Sequence, residues 1–359
     1  MPESSIVVRP QSKDSSGYSA ASRLRAAGLG QAIALFEDAA RLVPLPRPPQ
    51  PIVIADYGAA TGHNSLLPIC AAIAELRKRT RPEHSILVAH TDVPDNDFTA
   101  LFRTLSDDPD SYLTKDAAAF ASAVGRSFYS QIMPSNSVNL GWSSWAIQWL
   151  SRVPAPVPDH LHITHCTEEA LRAAYARQAA HDWHEFIAFR GRELCPGGRL
   201  VVMTMGVGED GEFGFGPLLA AMADTLAELV GAGELNVEEQ QRMTVPTVAR
   251  SAAELRAPFA PSGRFERLEI ERLEIFDAED RYFDQYRKDK DDKAFGAQWA
   301  AFARAAVFPA LTGALNTADE GRIRRFADRL DAGIAARLAA APEPTRIPQA
   351  HVVLHKRPK

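Results

Sequence analysis

Cysteine is scarce in this chain of 359 residues: Cys70, Cys166 and Cys195 are scattered, and none falls in a C-x-x-C pair. That excludes a disulfide framework and predicts idle or buried thiols in a reducing compartment. Long apolar runs are missing as well, and none approaches the roughly 20 residues that a membrane-spanning helix needs. The opening stretch MPESSIVVRPQSKDSSGYSAAS has no basic start leading into an apolar core, so it does not read as a secretory signal. Charge of one sign is also in short supply. The formal net charge of -5 and a pI near 6.1 lack the basic footprint of a general nucleic-acid binder. No internal repeat is visible. Together these absences predict a soluble, cytoplasmic protein with neither nucleic acid nor membrane as partner.

What is present is ample apolar material. With 46% hydrophobic residues, the chain can build one large α/β domain with a sizeable insertion, or two ordinary domains. An Ala-rich helical stretch from Tyr18 to Leu42 ends at a Pro-rich joint, Pro44 to Pro51. Ile52-Val53-Ile54-Ala55 then reads as a buried parallel strand, and Leu66, Ile69, Cys70, Ile73 and Leu76 share one helix face. A second strand, Ile86-Leu87-Val88-Ala89, completes a βαβ unit. A helix over Glu168 to Leu194 stops at Cys195-Pro196-Gly197-Gly198, and the strand Leu200-Val201-Val202-Met203 follows. Beyond Met205, residues 209–258 and 281–315 read as a helical cap. Phe265 to Phe276 alternates like a strand, and His351 to His355 reads as a closing strand. The expected organisation is a core over 1–205, cap pieces over 206–262 and 281–315, a core strand over 263–280, and a core helix and strand over 316–359.

The loop after the first strand, Asp56-Tyr57-Gly58-Ala59-Ala60-Thr61-Gly62-His63-Asn64, sits where ligands bind in open α/β sheets. A phosphate loop would end in Gly-Lys-Ser/Thr, which is absent. A dinucleotide fingerprint needs G-x-G-x-x-G with an acid about 20 residues on, and Asp92 lies too far away. S-adenosylmethionine (SAM) suits the pattern better: Asp56 would hold its amino-acid end and Asp92, ending the second strand, its ribose hydroxyls. The bland alternative is that these residues only form a turn.

Four segments make the pattern more specific. Ile54-Ala55-Asp56-Tyr57-Gly58-Ala59-Ala60-Thr61-Gly62-His63-Asn64-Ser65 resembles I-A-D-L-G-C-S-S-G-P-N-T of the SABATH methyltransferases. Thr91-Asp92-Val93-Pro94-Asp95-Asn96-Asp97-Phe98 resembles their N-D-L-P-x-N-D-F. Gly125-Arg126-Ser127-Phe128-Tyr129 resembles G-S-F-Y with one residue changed or added. Ser143 to Pro154, SSWAIQWLSRVP, resembles S-S-Y-S-L-x-W-L-S-x-V-P. The resemblance covers nearly the whole chain and is thinnest after residue 205. It implies a Rossmann-like class I methyltransferase sheet with a helical cap, SAM as cofactor, and a small, largely apolar carboxylic acid as acceptor.

Carried over by residue, the resemblance implies a cofactor set of Tyr18, Ser22, Asp56, Gly58, Asn64, Asp92, Val93, Ser127 and Phe128, and a substrate set of Arg25, Trp145, Gln148 and Trp149. The family's carboxylate-gripping glutamine falls on Arg25, and its asparagine before the serine falls on Ala21. Arg25 could replace that glutamine with a bidentate guanidinium–carboxylate pair. Dimers, common in the family, are the assembly implied. N-methylation of a heterocycle and a non-catalytic cofactor-binding partner are the rival readings.

A carboxylate is already ionised at neutral pH, so methyl transfer to it requires no general base. No metal is expected. His160, His162, His165 and Cys166 cluster past a Pro-rich stretch, but no second ligand pair accompanies them, and a short strand with a sheet-edge or core role is the better reading. His181 and His184 share a helix with Trp183 and Phe186, and packing is expected of both. Phe213, Phe215, Phe283, Tyr286, Trp299, Phe302 and Phe308 are spaced like helix-core residues, some of which would line the acid's pocket.

Overall fold

A computed structural model describes residues 29–158, 160–208 and 210–358. The expected sites Tyr18, Ser22 and Arg25 lie outside that range.

Strands β1 (Ile52–Tyr57), β2 (Ile86–Asp92), β3 (Ala119–Gly125), β4 (Val138–Ser144), β5 (Leu194–Val207), β7 (Leu268–Asp277) and β8 (Pro348–Lys356) form a sheet in the order β3-β2-β1-β4-β5-β8-β7, and the two-residue β6 (Arg250–Ser251) pairs with β5 off that path. The first five are parallel to their neighbours, while β8 runs antiparallel between β5 and β7. Parallel strands joined by crossover helices bury both faces, and the alternation along β1 shows it. Ile52 and Ile54 pack with helices α1 (Leu29–Leu42) and α2 (Leu66–Arg77), whereas Val53, Ala55 and Tyr57 pack with the long α4 (Glu169–Glu193) on the opposite face. Between β2 and β3, helix α3 (Phe98–Asp107) is capped by the Asp97 carboxylate, which accepts the Ala100 N–H.

Two strands that apolar patterning did not single out, β3 and β4, lie on either side of the β1–β2 pair. The β4 sequence VNLGWSS is wholly buried yet rich in small and polar residues. Small size is required there: a Cβ on Gly141 would lie 2.8 Å from Leu200 Cδ1 and 3.3 Å from Tyr57 Cε2.

Helices α5 (Gly216–Gly231), α6 (Arg281–Asp289), α7 (Asp292–Ala306) and α8 (Glu320–Ala340) build the cap around Leu226, Trp299, Leu330 and Ile334. The last long helix, expected with the core, packs among them. The buried side of α8, Phe326, Ala327, Leu330, Ile334 and Leu338, packs into the cap cluster. Its contacts are made by glycines that sequence spacing does not mark. A Cβ on Gly296 would lie 2.2 Å from the Ala335 carbonyl oxygen, and one on Gly333 would lie 2.3 Å from Thr225 Cγ2. Among the described residues no helix is long and apolar enough to cross a membrane.

Candidate active site

The site begins at the carboxyl ends of β1 to β4. After β1 the chain reverses through Gly58 (φ +87°) and Gly62 (φ +79°), with the N–H groups of Gly58 and Ala59 both donating to the Thr91 carbonyl at 2.9 and 3.0 Å. A Cβ on Gly58 would sit 2.4 Å from Ala146 Cβ and 3.5 Å from Phe128 Cε1, so only glycine keeps this floor open. Asp92 joins the two loops. Its Oδ2 accepts the Ala60 N–H at 2.7 Å and its Oδ1 accepts the Val93 N–H at 2.8 Å. Burial pushes the Asp92 carboxyl above its ordinary value, and those two N–H groups work against that rise. Asn96 adds a bond from Nδ2 to the Ala60 carbonyl at 2.9 Å.

Ser127 and Phe128 follow β3 on a loop gripped from below by a buried ion pair. Arg190 donates to the carbonyls of Phe128 (2.7 Å) and Ser130 (2.9 Å). Glu193, paired with Arg190, accepts the N–H groups of Ile132 and Met133 and the hydroxyl of Tyr57. Phe128 stands edge-on to Phe186, with ring centroids 5.8 Å apart.

The third wall is the segment after β4. Trp145 takes a left-handed backbone (φ +53°), a position that favours glycine, and its N–H donates to the Met203 carbonyl at 2.9 Å. The rest of the turn is pinned at several points. Arg250 Nη1 donates to the Ile147 carbonyl, the Tyr129 hydroxyl to the Trp149 carbonyl, and Ser151 donates through both N–H and hydroxyl to Asp182. Gln148 is oriented as well, because the Thr204 hydroxyl donates to its Oε1 at 3.2 Å, leaving the amide N–H groups to other partners. Trp145 Nε1 and Ser144 Oγ are buried without a hydrogen-bond partner among the described residues. Both residues line the cavity, where a bound group can pair with them.

These walls enclose one cavity of about 990 Å³. Gly58, Asn64, Asp92, Val93, Ser127 and Phe128 line it from the strand-tip loops, and Trp145, Gln148 and Trp149 from the segment after β4. The cap side is apolar, with Met205, Phe213, Phe215, Leu218, Met222 and Phe302. Of the seven cap-region aromatics, Phe213, Phe215 and Phe302 reach the cavity, Trp299 and Phe308 are buried in the cap's interior, and the half-buried Phe283 and Tyr286 pack against it.

Two expectations about histidines need correction, while Asp56, expected in the cofactor set, is buried two residues before Gly58 of the floor. Register pairs it with His90 on β2, and its Oδ2 lies 2.8 Å from His90 Nδ1 inside the sheet, with His90 Nε2 2.9 Å from the Tyr112 hydroxyl. The histidine cluster forms no strand. Ile163–His165 is a single 3₁₀ turn, and His162 is fully buried on the cavity wall. His181 is exposed at the cavity rim and His184 lies exposed against Phe265, so neither packs in the core. Among the described residues no group of three or more His, Cys, Asp or Glu could hold a metal. Sequence reasoning missed His162 as a wall residue, together with Thr247, Arg190 and Glu193. All four act through partners 60 or more residues away, which local spacing does not reveal.

The SAM dependent carboxyl methyltransferase family model matches residues 6–356. Salicylate carboxymethyltransferase of Clarkia breweri is 29% identical over 237 residues, covering 63% of this chain and 64% of that enzyme. Gibberellic acid methyltransferase 1 of Arabidopsis thaliana is 28% identical over 280 residues, covering 71% and 73%. The solved loganic acid methyltransferase with SAH superposes with a TM-score of 0.76 at 23% identity, covering 97% of this chain and 98% of that one, and so shares the fold. With the family matched over almost its whole length, on a sheet of that order, the chain belongs to the SAM-dependent carboxyl methyltransferases.

Proposed function

We propose that this protein methylates the carboxylate of a small, largely apolar acid, with SAM as methyl donor. The observation that carries the reading is the cavity's composition: a glycine floor and one carboxylate at the strand tips, unpaired neutral donors where β4 ends, and an apolar chamber on the cap side. When bound, SAM supplies a methyl group on a positively charged sulfur, whose displacement by a carboxylate oxygen gives an ester and a neutral thioether.

The residues present fit that cofactor. Each oxygen of Asp92 accepts one backbone N–H and keeps a lone pair for a ribose hydroxyl. Gly58 leaves the floor open, and Asn64, Val93, Ser127 and Phe128 complete the cradle. Tyr18 and Ser22 complete the assigned cofactor set. Asp56 supports the cradle indirectly by fixing His90 beneath the loop.

Acid binding falls to Trp145, Gln148 and Trp149, with Arg25 as a further donor. Neutral N–H donors orient a carboxylate without neutralising it, so the oxygen keeps its nucleophilicity. No residue has to remove a proton, since the acid is ionised near neutral pH. The chain's main contribution is then positioning, for which well-oriented reactants gain up to roughly 7–11 kcal/mol. Two substitutions test Arg25: if it grips the acid, Arg25→Ala raises KM clearly while Arg25→Gln, which puts the family's glutamine in its place, raises it less, and unchanged kinetics in both remove it from the set.

We assign the protein to a reducing cytoplasm, in keeping with three cysteines that form no disulfide among the described residues, and take a homodimer as its assembly, to be read by light scattering. The decisive test of the reaction is to incubate pure protein with SAM and a panel of aryl, indolyl and terpenoid acids. Mass spectrometry should find products one CH₂ heavier that are sensitive to an esterase. Methylation of a xanthine instead, or no product together with no calorimetric SAM binding, would overturn the reading.

A further inference from the structure

A buried histidine and a threonine meet on the cavity wall, and nothing in the reaction above uses them. His162 is fully buried and its ring lies 4.3 Å from that of Phe213, on the cap side of the chamber. Its Nδ1 accepts the Thr164 N–H at 3.3 Å and has the Thr164 hydroxyl at 2.8 Å. A neutral imidazole whose Nδ1 is an acceptor carries its proton on Nε2. That nitrogen lies 3.1 Å from Thr247 Oγ1 and donates to the threonine, its N–H shared between the hydroxyl and the backbone carbonyl. The hydroxyl has thereby taken a donor, and its own proton remains to be given.

The place where that proton is offered follows from the backbone. Leu150 N–H donates to the Pro246 carbonyl and Val248 N–H to the Gln148 carbonyl, which makes Trp149 and Thr247 a non-hydrogen-bonded antiparallel pair. Side chains of such a pair lie close together on one face. Both line the cavity, with Val245 and Phe213 beside them and His162 behind. An apolar chamber with one directed hydroxyl is a specificity element, because a ligand without an acceptor leaves that donor unsatisfied.

We propose that Thr247, oriented by His162, selects acids carrying a second, uncharged oxygen acceptor, a carbonyl in the first instance, on their apolar body. This inference rests on the carboxylate-methylation reading. The acceptor must be uncharged, since His162, Phe213 and Val245 around Thr247 offer it no countercharge and a buried unpaired charge is strongly disfavoured. Burial also keeps His162 neutral, its pKa driven down to about 3.

The test compares acids of equal shape. The full-length protein with SAM is given 3- and 4-acetylbenzoate and, separately, 3- and 4-isopropylbenzoate, and ester formation gives kcat/KM for each. In the wild type the acetyl member of at least one pair should be favoured about tenfold, the size of one net hydrogen bond. In Thr247→Val that ratio should fall to about one, while Thr247→Ser should retain it. A residue needed only for packing would shift both acids together and leave the ratio unchanged. Esters from both sets with a ratio near one in the wild type, or a ratio that persists in Thr247→Val, overturn the relay alone. No ester from any of the four acids overturns this inference, and no ester from the wider aryl, indolyl and terpenoid panel either, with no calorimetric SAM binding, overturns the carboxylate reading with it.

Discussion

Two aspartates that look equivalent along the chain end up with different work. Asp56 and Asp92 each stand at the carboxyl end of a strand, yet Asp56 bonds to His90 on the neighbouring strand, whereas Asp92 ties two loops at the cavity. Asp92→Asn should therefore weaken SAM binding by tenfold or more in a calorimetric titration. Asp56→Asn should act first on the melting temperature, by disturbing a buried carboxylate–imidazole bond. Gly58→Ala is the sharper probe. The new methyl would meet Ala146 Cβ at 2.4 Å on a backbone with φ +87°, where a side chain alone costs about 1–2 kcal/mol. SAM affinity should drop at least tenfold, with a lower melting temperature in the same protein; unaltered binding would remove Gly58 from the floor. The glycines and the ordered motifs picked out ten described residues, nine of which line one cavity. Asp56 is the tenth, and its partner His90 is set by strand register.

At the scale of elements, the loop carrying Ser127 and Phe128 is shaped from α4. Arg190 and Glu193 are both fully buried, and between them they bind two carbonyls, two N–H groups and the Tyr57 hydroxyl. Burial, with the Glu193 charge beside it, drives the Tyr57 pKa well above the ordinary value and keeps the hydroxyl a donor. Removing one member leaves the other as an uncompensated buried charge, which costs about 3–5 kcal/mol. Arg190→Met should lower unfolding free energy by that amount in a urea titration and also weaken SAM binding through the loop. A variant with normal stability would show that the pair is dispensable. Strands β1, β2 and β5 were legible because their apolar runs are continuous. β4 was not, since its Asn139, Gly141, Ser143 and Ser144 serve tight packing and site contacts rather than apolar burial. Asn139 Oδ1, for example, accepts the Val53 N–H, a bond 86 residues apart in sequence.

For the whole molecule, the cap is a second apolar body built over the carboxyl edge of the sheet, fastened by a buried carboxylate. Glu239 accepts from both Nη atoms of Arg322 at 2.7 Å and from the Asn316 N–H, joining the short helix Val237–Arg242 to the segment leading into α8. The Arg322 hydrogen bonds hold its pKa down to about 2. An acid whose folded pKa is depressed adds stability above its unfolded pKa, near 4.3, and loses it as pH falls through the folded value. The melting temperature of the wild type should thus exceed that of Glu239→Gln by a constant margin from about pH 7 to 5. The margin should shrink between about pH 4 and 2, as followed by calorimetry; a pH-independent margin would contradict the role assigned to this charge.

From the residues alone came the class of sheet, the two strand-tip loops, the order of the motifs and the presence of a cap, since each depends on local periodicity, turn chemistry or short spacing. Folding in three dimensions decided what each strand-tip aspartate bonds to, which cap aromatics line the cavity, that the last long helix packs with the cap, and that a histidine stands behind a threonine on the cavity wall. Those outcomes depend on contacts between segments tens of residues apart, fixed by strand register and close packing. Neither leaves a periodic trace along the chain.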